Sequence, residues 1–513
     1  MNDWTEGYVA NINYTFGYYV ELSPQRVKLA FLNAGLKFPV VGSACELGFG
    51  QGLSANIHAA ASVVRWVGTD FNPAQASFAQ ELAAASDCGA RLFDQSFAEF
   101  AQRTDLPDFD YIGLHGIWSW ISNDNRKVIV DFIRRKLKVG GVLYISYNTM
   151  PGWTSFSPVR QLMTRHAQSR GSVEAGIARQ ITAALDFTEK LLTSSPKFLN
   201  ANPLALAQLK SVKEQNRQYL AHEYFNRDWL PMDFSTMADW LVPAKVTFAC
   251  SATYLDHVNE LNLDSQQLAF LRSIADPIFR ETVRDFLVNQ GFRRDYWVKG
   301  ARKFSALEKD EVLRSQRVIL TSFRADIALK VNGALGVCDL DDRFYCPILD
   351  ELADHRVKTL GQLESIFKEK GVSLSQIVQV VTVLAGAGYL CSVQDEGDIQ
   401  QAKESTARLN SQLIRNARIN SETTHLASPA TGGGVAVSRF HQLFLMAIGQ
   451  GLKQPQQWAQ FVWDILRQEG QRILKDGLVL ENPEDMLIEL KARADEFSIK
   501  QLPILEALHI IEP

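Results

Sequence analysis

The sequence predicts an α/β protein: a doubly wound, seven-stranded sheet with helices inserted into it, followed by a mostly helical C-terminal region. Three observations predict it. First, Ala44-Cys45-Glu46-Leu47-Gly48-Phe49-Gly50-Gln51-Gly52 stands between a short apolar run, Pro39-Val40-Val41, and a helical segment from Leu53 to Val64. Strand, glycine-rich turn and helix open a doubly wound sheet. Second, apolar runs that each end in a polar residue recur downstream: Val64 to Asp70, Ala90 to Asp94 and Phe109 to His115. Third, segments of helical period alternate with these runs. The strands' carboxyl ends then share one crevice, where ligands of open α/β sheets bind.

The elements follow in order. Residues 1–38 precede the first strand and are rich in aromatics, among them Tyr8, Tyr14, Tyr18 and Tyr19; the segment from Pro24 to Leu36 reads as a helix. Residues 39–154 hold the first five strands. A helix with Val128, Ile129, Phe132, Ile133 and Leu137 on one face is expected to stop at Gly140-Gly141, and Val142 to Tyr147 makes the fifth strand. Residues 155–243 are helical, with Val159, Leu162, Met163 and His166 on one face. Residues 244–304 return to the sheet through Lys245 to Tyr254 and Gly291 to Val298, the sixth and seventh strands.

The glycine spacing says which ligand the crevice suits. A dinucleotide fingerprint is G-x-G-x-x-G and fits a pyrophosphate. Here it is G-x-G-x-G, with Glu46 two residues before the first glycine. A carboxylate repels a pyrophosphate but attracts an ammonium group, such as the amino acid end of S-adenosylmethionine. Asp70 follows Gly52 by 18 residues, near the roughly 20 expected of an acid that binds ribose hydroxyls. At these residues the chain resembles the class I S-adenosylmethionine-dependent methyltransferases, whose first motif is acid-x-G-x-G-x-G and whose fold is Rossmann-like. The resemblance implies a cofactor site of Glu46, Gly48, Gly50, Gly52 and Asp70. Phe71 would pack on adenine, Asp94 would bond its amino group, and His115 would stand where such enzymes place the acceptor, in contact with acceptor or cofactor. It also implies that an N-terminal segment covers the cofactor.

For the acceptor, the stretches after the fourth and fifth strands supply candidates. His115 and Tyr147 are candidate proton acceptors; Tyr14, Tyr18, Trp118, Trp120, Asn148 and Trp153 are candidate pocket walls. Enzymes that methylate amino groups of nucleic acids carry (Asp/Asn)-Pro-Pro-aromatic after the fourth strand, and here that place reads His-Gly-Ile-Trp. The Pro-Cys pair of cytosine-C5 enzymes is also missing. His222-Glu223 suggests a zinc site, but position 226 is Asn where a second His would be needed, so no metal is expected.

A second resemblance lies in His222-Glu223-Tyr224, Asp285-Phe286-Leu287 and Phe292-Arg293. These are similar to the methyltransferase regulatory domain, which follows a class I core in a set of bacterial proteins that includes lysine methyltransferases of outer-membrane proteins. It implies a protein acceptor, a lysine. A small molecule or surface glycan is the alternative acceptor, and a non-catalytic binding module is a third reading that the intact Glu46, glycines and Asp70 oppose.

Residues 305–395 contain a charged connection (305–345) and then a winged-helix-like module over 347–393. The helix that would enter a DNA groove, from Ser373 to Gly388, has no Lys or Arg, and phosphate binding needs such charges. Residues 396–513 begin as a polar loop, with a glycine run at Gly432-Gly433-Gly434, and end in helices.

Composition agrees with an ordinary globular protein. The chain has 513 residues, 46% hydrophobic and 21% charged, with net charge −4. That charge implies no general attraction to nucleic acid or acidic membranes. The six cysteines form no C-x-x-C pair and are expected to be reduced thiols in a cytoplasmic protein. The acidic start, Met1 to Glu6, lacks the basic region of a secretion signal, and no apolar run is long enough to span a membrane. The extra helices suggest a homodimer.

Overall fold

The computed structural model describes residues 5, 8, 15–170 and 176–512. Helix α1 (Pro24–Asn33) precedes an alternating series: β1 (Ser43–Leu47), α2 (Leu53–Ala61), β2 (Arg65–Thr69), α3 (Pro73–Ser86), β3 (Arg91–Phe93), α4 (Phe97–Ala101), β4 (Phe109–Leu114), α5 (Asn123–Lys136) and β5 (Leu137–Asn148). A helical insert follows: α6 (Ser157–Arg170), α7 (Ile177–Thr193), α8 (Lys197–Ala201), α9 (Ala205–Lys213), α10 (Arg217–Tyr224) and α11 (Phe234–Leu241). Then β6 (Thr247–Ser251), α12 (Ser265–Arg272), α13 (Pro277–Val288) and β7 (Phe292–Val298) complete the sheet.

The seven strands lie in the order β3-β2-β1-β4-β5-β7-β6. Strands β1 to β5 pair in parallel. Strand β7 runs antiparallel between β5 and β6. The order reverses between β1 and β4, so the switch-point crevice opens beyond their carboxyl ends. Local chemistry starts the helices: Asn72 caps α3 by accepting from the Ala74 N–H, and Ser96 and Glu99 form a capping box on α4.

Two sequence expectations shift here. The run Pro39-Val40-Val41 is not the strand, and Val40 is 92% exposed. Strand β1 begins at Ser43, where the N–H groups of Gly42 and Ser43 both donate to Asp110 Oδ2 at 3.0 Å. Nor do Gly140 and Gly141 stop α5. That helix ends as Leu137 turns extended and opens β5. Gly140 has φ +84° and donates its N–H to Lys299 O; a side chain on Gly141 would meet Asp110 O at 3.0 Å. The pair sits where the β4–β5 register slips, so it makes the bend that a long paired strand needs.

The C-terminal region shares its core with the sheet. Every residue of α2 is buried, because the sheet covers one side and the helix Glu396–Asn416 with the hairpin His425–Ser428/Gly433–Ala436 covers the other. Leu53, Ile57, Ala60 and Ala61 pack in one cluster with Leu409, Leu413, Leu426 and Ala427. The stretch expected to be a polar loop is therefore mostly that long helix and a hairpin. The stretch 305–345 is likewise built: it holds the helix Ala306–Arg314, the strand Arg317–Leu320 and the hairpin Lys330–Gly333/Gly336–Asp339. The helix Leu374–Gly386 buries most of its surface, and Asn33 Nδ2 donates to its Thr382 Oγ1 at 3.0 Å. Its buried side packs on protein. No described helix is long and apolar enough to cross a membrane.

Candidate active site

The crevice beyond β1, β2 and β4 has a volume of about 1040 Å³ including its open mouth. Its floor is the glycine turn. Gly48, Gly50 and Gly52 all have positive φ (74°, 57° and 68°), the region glycine adopts without strain. A Cβ on Gly48 would lie 2.4 Å from Ile117 Cδ1, and one on Gly52 2.4 Å from Ala79 Cβ. Both positions need glycine twice over, for conformation and for space.

Two carboxylates face this turn. Asp70 Oδ2 accepts the Gly50 N–H at 2.8 Å and Oδ1 accepts the Asn72 N–H at 3.0 Å. Asp70 thus holds the turn in shape, a role its spacing alone did not reveal. Burial raises its carboxyl to about 6, against the pull of those two N–H groups. Glu46 is also buried, and its Oε2 has no hydrogen-bond partner among the described residues. Burial first, and the charge of Asp70 second, push Glu46 up to about 8. An acceptor oxygen left unsatisfied inside a protein is costly. A cationic, hydrogen-bond-donating group in the crevice would satisfy it, and an amino acid ammonium has that chemistry.

The aromatic wall is built differently from expectation. Tyr8, Tyr19, Phe71, Trp120 and His115 line the crevice. Tyr8 and Tyr19 come from the N-terminal segment; the density of aromatics in residues 1–38 was the available signal for them. The Tyr19 ring stacks on His115 at 3.7 Å, and His115 Nδ1 lies 2.7 Å from the Tyr144 hydroxyl. Burial and then the Arg294 charge lower His115 to about 3, so its imidazole is neutral at pH 7 and a weak base.

Other predicted positions lie elsewhere. Asp94 is exposed and outside the lining, where Gln95 and Ser96 stand instead. Trp118 is core: it is fully buried, with Nε1 donating to Met232 Sδ at 3.4 Å. Trp153 packs against Trp229 and Tyr224 in the helical insert. Asn148 is buried at the end of β5, its backbone N–H donating to Ser119 Oγ and its side chain beside Glu223. Tyr18 faces away from the crevice. Its hydroxyl accepts the Gly434 N–H at 2.7 Å and meets His58 Nε2 at 3.0 Å, fastening the C-terminal hairpin to α2. Side chains on Gly433 or Gly434 would collide with its ring or hydroxyl, which is why the glycine run is there. Tyr14 lies outside the described residues.

Tyr147 is fully buried and donates its hydroxyl to Asp295 Oδ2 at 2.9 Å. Burial pushes its phenol well up, so it stays protonated and cannot accept a proton. It belongs to a second acidic cluster, centred on Arg293. That guanidinium reaches Asp285 at 2.6 Å, Asp295 at 2.9 Å and Glu281 at 3.0 Å. The cluster ties α13 to β7 and, through Tyr147, to β5. The residues Asp285 and Arg293 of the second sequence resemblance are therefore joined in a structural centre.

Sheet order, glycine turn and acid-lined crevice together are those of a class I S-adenosylmethionine-dependent methyltransferase. Residues 216–299, from α10 through β7, match the family described as "Predicted methyltransferase regulatory domain". The chain belongs to the same family as the Synechocystis sp. protein sll1526, to which it is 40% identical over 512 residues, with 99% of each chain covered. The Rickettsia prowazekii protein RP789 is 29% identical over 205 residues, which span 37% of this chain and 34% of that one. In fold, the chain is similar to PKMT2 from Rickettsia typhi in complex with AdoHcy, with TM-score 0.68 and 15% identity over 96% of this chain and 99% of that one.

Proposed function

We propose that this methyltransferase modifies a protein side chain, the amine of a lysine. One observation carries the reading. The likeness to PKMT2 runs through 96% of this chain, so the shared architecture includes the helical insert and the C-terminal region as well as the sheet. Of those added parts, the helical insert reaches the crevice itself, at Asp228 between α10 and α11.

S-adenosylmethionine, when bound, supplies a methyl group already activated by the positive charge on its sulfur. The chain's own residues hold and orient the reactants, which is where rate is gained in such a displacement. The unpartnered Oε2 of Glu46 suits the cofactor's ammonium group. Asp70, two of whose lone pairs hold the turn, keeps others for ribose hydroxyls. Phe71 offers a ring face to the adenine, and Gln95 and Ser96 stand where Asp94 was expected. Tyr8 and Tyr19 add apolar ring surface to the same crevice. A lysine side chain in water has a pKa of about 10.4, and the aromatic wall favours its neutral form by desolvation.

The test is transfer of a radiolabelled methyl group from S-adenosylmethionine into a fractionated extract of the source organism. Label in protease-sensitive material that resists mild base is the expected result, since a methylamine survives base and a methyl ester does not. Label confined to glycan or small-molecule fractions would overturn the protein acceptor.

A further inference from the structure

Helix α10 lies against the wall of the crevice and carries Glu223, a carboxylate that neither the cofactor site nor the Arg293 cluster uses. Trp120, which lines the crevice, donates its Nε1–H to the backbone O of Glu223 at 3.2 Å. Tyr8, also in the lining, sets its ring 5.6 Å from Phe71 on the cofactor side and 5.3 Å from His222 on the α10 side. Its hydroxyl feels the charges of both Asp70 and Glu223. Tyr219 feels Glu223 and Tyr19 together, and Tyr19 stacks on His115. Tyr224 feels the charges of Glu223 and Tyr219 as well.

The nearby cation does not neutralise this carboxylate by contact. Arg160 donates to Asn226 O at 2.6 Å and lies over the Trp229 ring at 4.7 Å. Glu223 is thus a half-buried acid whose charge reaches Tyr8, Tyr219 and Tyr224, with no ion pair among the described residues. Tyrosine faces attract cations through their π-systems, and a lone carboxylate among them selects an ammonium group.

We propose that Glu223, beside Trp120 and Tyr8 at the crevice wall, receives the acceptor's ammonium group and takes its proton. The proposal rests on the amine-acceptor reading above. The ammonium nitrogen releases one proton to a Glu223 carboxylate oxygen and keeps the bonding pair as its lone pair; a cation and an anion become a neutral amine and a neutral acid. Burial raises Glu223 to about 7, against the opposing effects of Arg160 and Asn148. A proton acceptor works best with a pKa near the working pH, and Glu223 meets that condition where His115, at about 3, does not.

The full chain, saturated with S-adenosylhomocysteine, is titrated with Nα-acetyl-lysine-N-methylamide by ligand-observed NMR. The norleucine counterpart, which lacks the ammonium, is the control. The native protein is expected to bind the lysine probe at least tenfold more tightly than Glu223→Gln or Glu223→Ala. The norleucine probe is expected to bind all three equally weakly. S-adenosylhomocysteine affinity, read by calorimetry, is expected to stay unchanged in both variants, which reports that they are folded. Equal affinity of native and variant proteins for the lysine probe overturns the role of Glu223. No lysine binding by the native protein while S-adenosylhomocysteine binds overturns the amine acceptor with it and leaves the methyltransferase standing. Failure of the native protein to bind S-adenosylhomocysteine removes both.

Discussion

Two buried acidic clusters belong to the same sheet, and they differ in one respect. Around Arg293, three carboxylates share a guanidinium; around the glycine turn, Glu46 and Asp70 share none among the described residues. Both carry the cost of burial. Asp285 is raised to about 7 and keeps one oxygen without a partner even beside Arg293. In the first cluster the cation is part of the chain, so the charges hold the fold together. In the second the backbone supplies two N–H groups and the remaining capacity points into a crevice. A buried acid with its cation is architecture; a buried acid without one is a place for a ligand.

Removing the resident cation is the hardest test of that contrast. Arg293→Ala leaves Asp285 and Asp295 buried without compensation and is expected to destabilise the fold by about 3–5 kcal/mol, measured by denaturant unfolding. A loss under about 1 kcal/mol would mean that the cluster is not structural. Next is Asp70→Ala, which removes the acceptor of the Gly50 and Asn72 N–H groups. Each hydrogen bond to a charged group is worth roughly 1.5–3 kcal/mol, so S-adenosylhomocysteine is expected to bind ten- to a hundredfold more weakly in calorimetry. Native affinity would remove Asp70 from the cofactor site.

Glu46→Gln separates ligand binding from stability. Cofactor affinity is expected to fall about tenfold, equivalent to about 1.4 kcal/mol, while the unliganded fold keeps or gains stability. Between its ordinary value of 4.5 and about 8, Glu46 holds more protons folded than unfolded. Its contribution to stability is therefore full below that window and is lost as pH rises through it. Thermal midpoints from pH 5 to 8 are expected to fall in the native protein and to fall less steeply in Glu46→Gln; identical slopes would contradict the assignment. The smallest effect extends the contrast to neutral groups. Tyr18→Phe strips the Gly434 N–H of its acceptor and is expected to cost about 1 kcal/mol with cofactor affinity unchanged. A change in that affinity would place Tyr18 back at the crevice.

Local signals settled much of this protein before any contact was known. Glycine spacing, an acid two residues earlier and an acid beyond the second strand are short-range features, and they mark the turn, the crevice and the cofactor class. Helix caps such as Asn72 and Ser96 are equally local. What tertiary structure alone decided is which aromatic faces what. Trp118 and Trp120 are two residues apart, yet one is core and the other lines the crevice. Tyr147 finds its partner at Asp295, far along the chain, and so leaves the acceptor side. Tyr18 meets a glycine hairpin from the opposite end of the sequence, and the side of α2 away from the sheet is buried by a region that reads as polar in isolation. Backbone propensity and turn chemistry act over a few residues and are written in the order of side chains. Burial and pairing depend on which distant surface arrives, and only the assembled fold determines that.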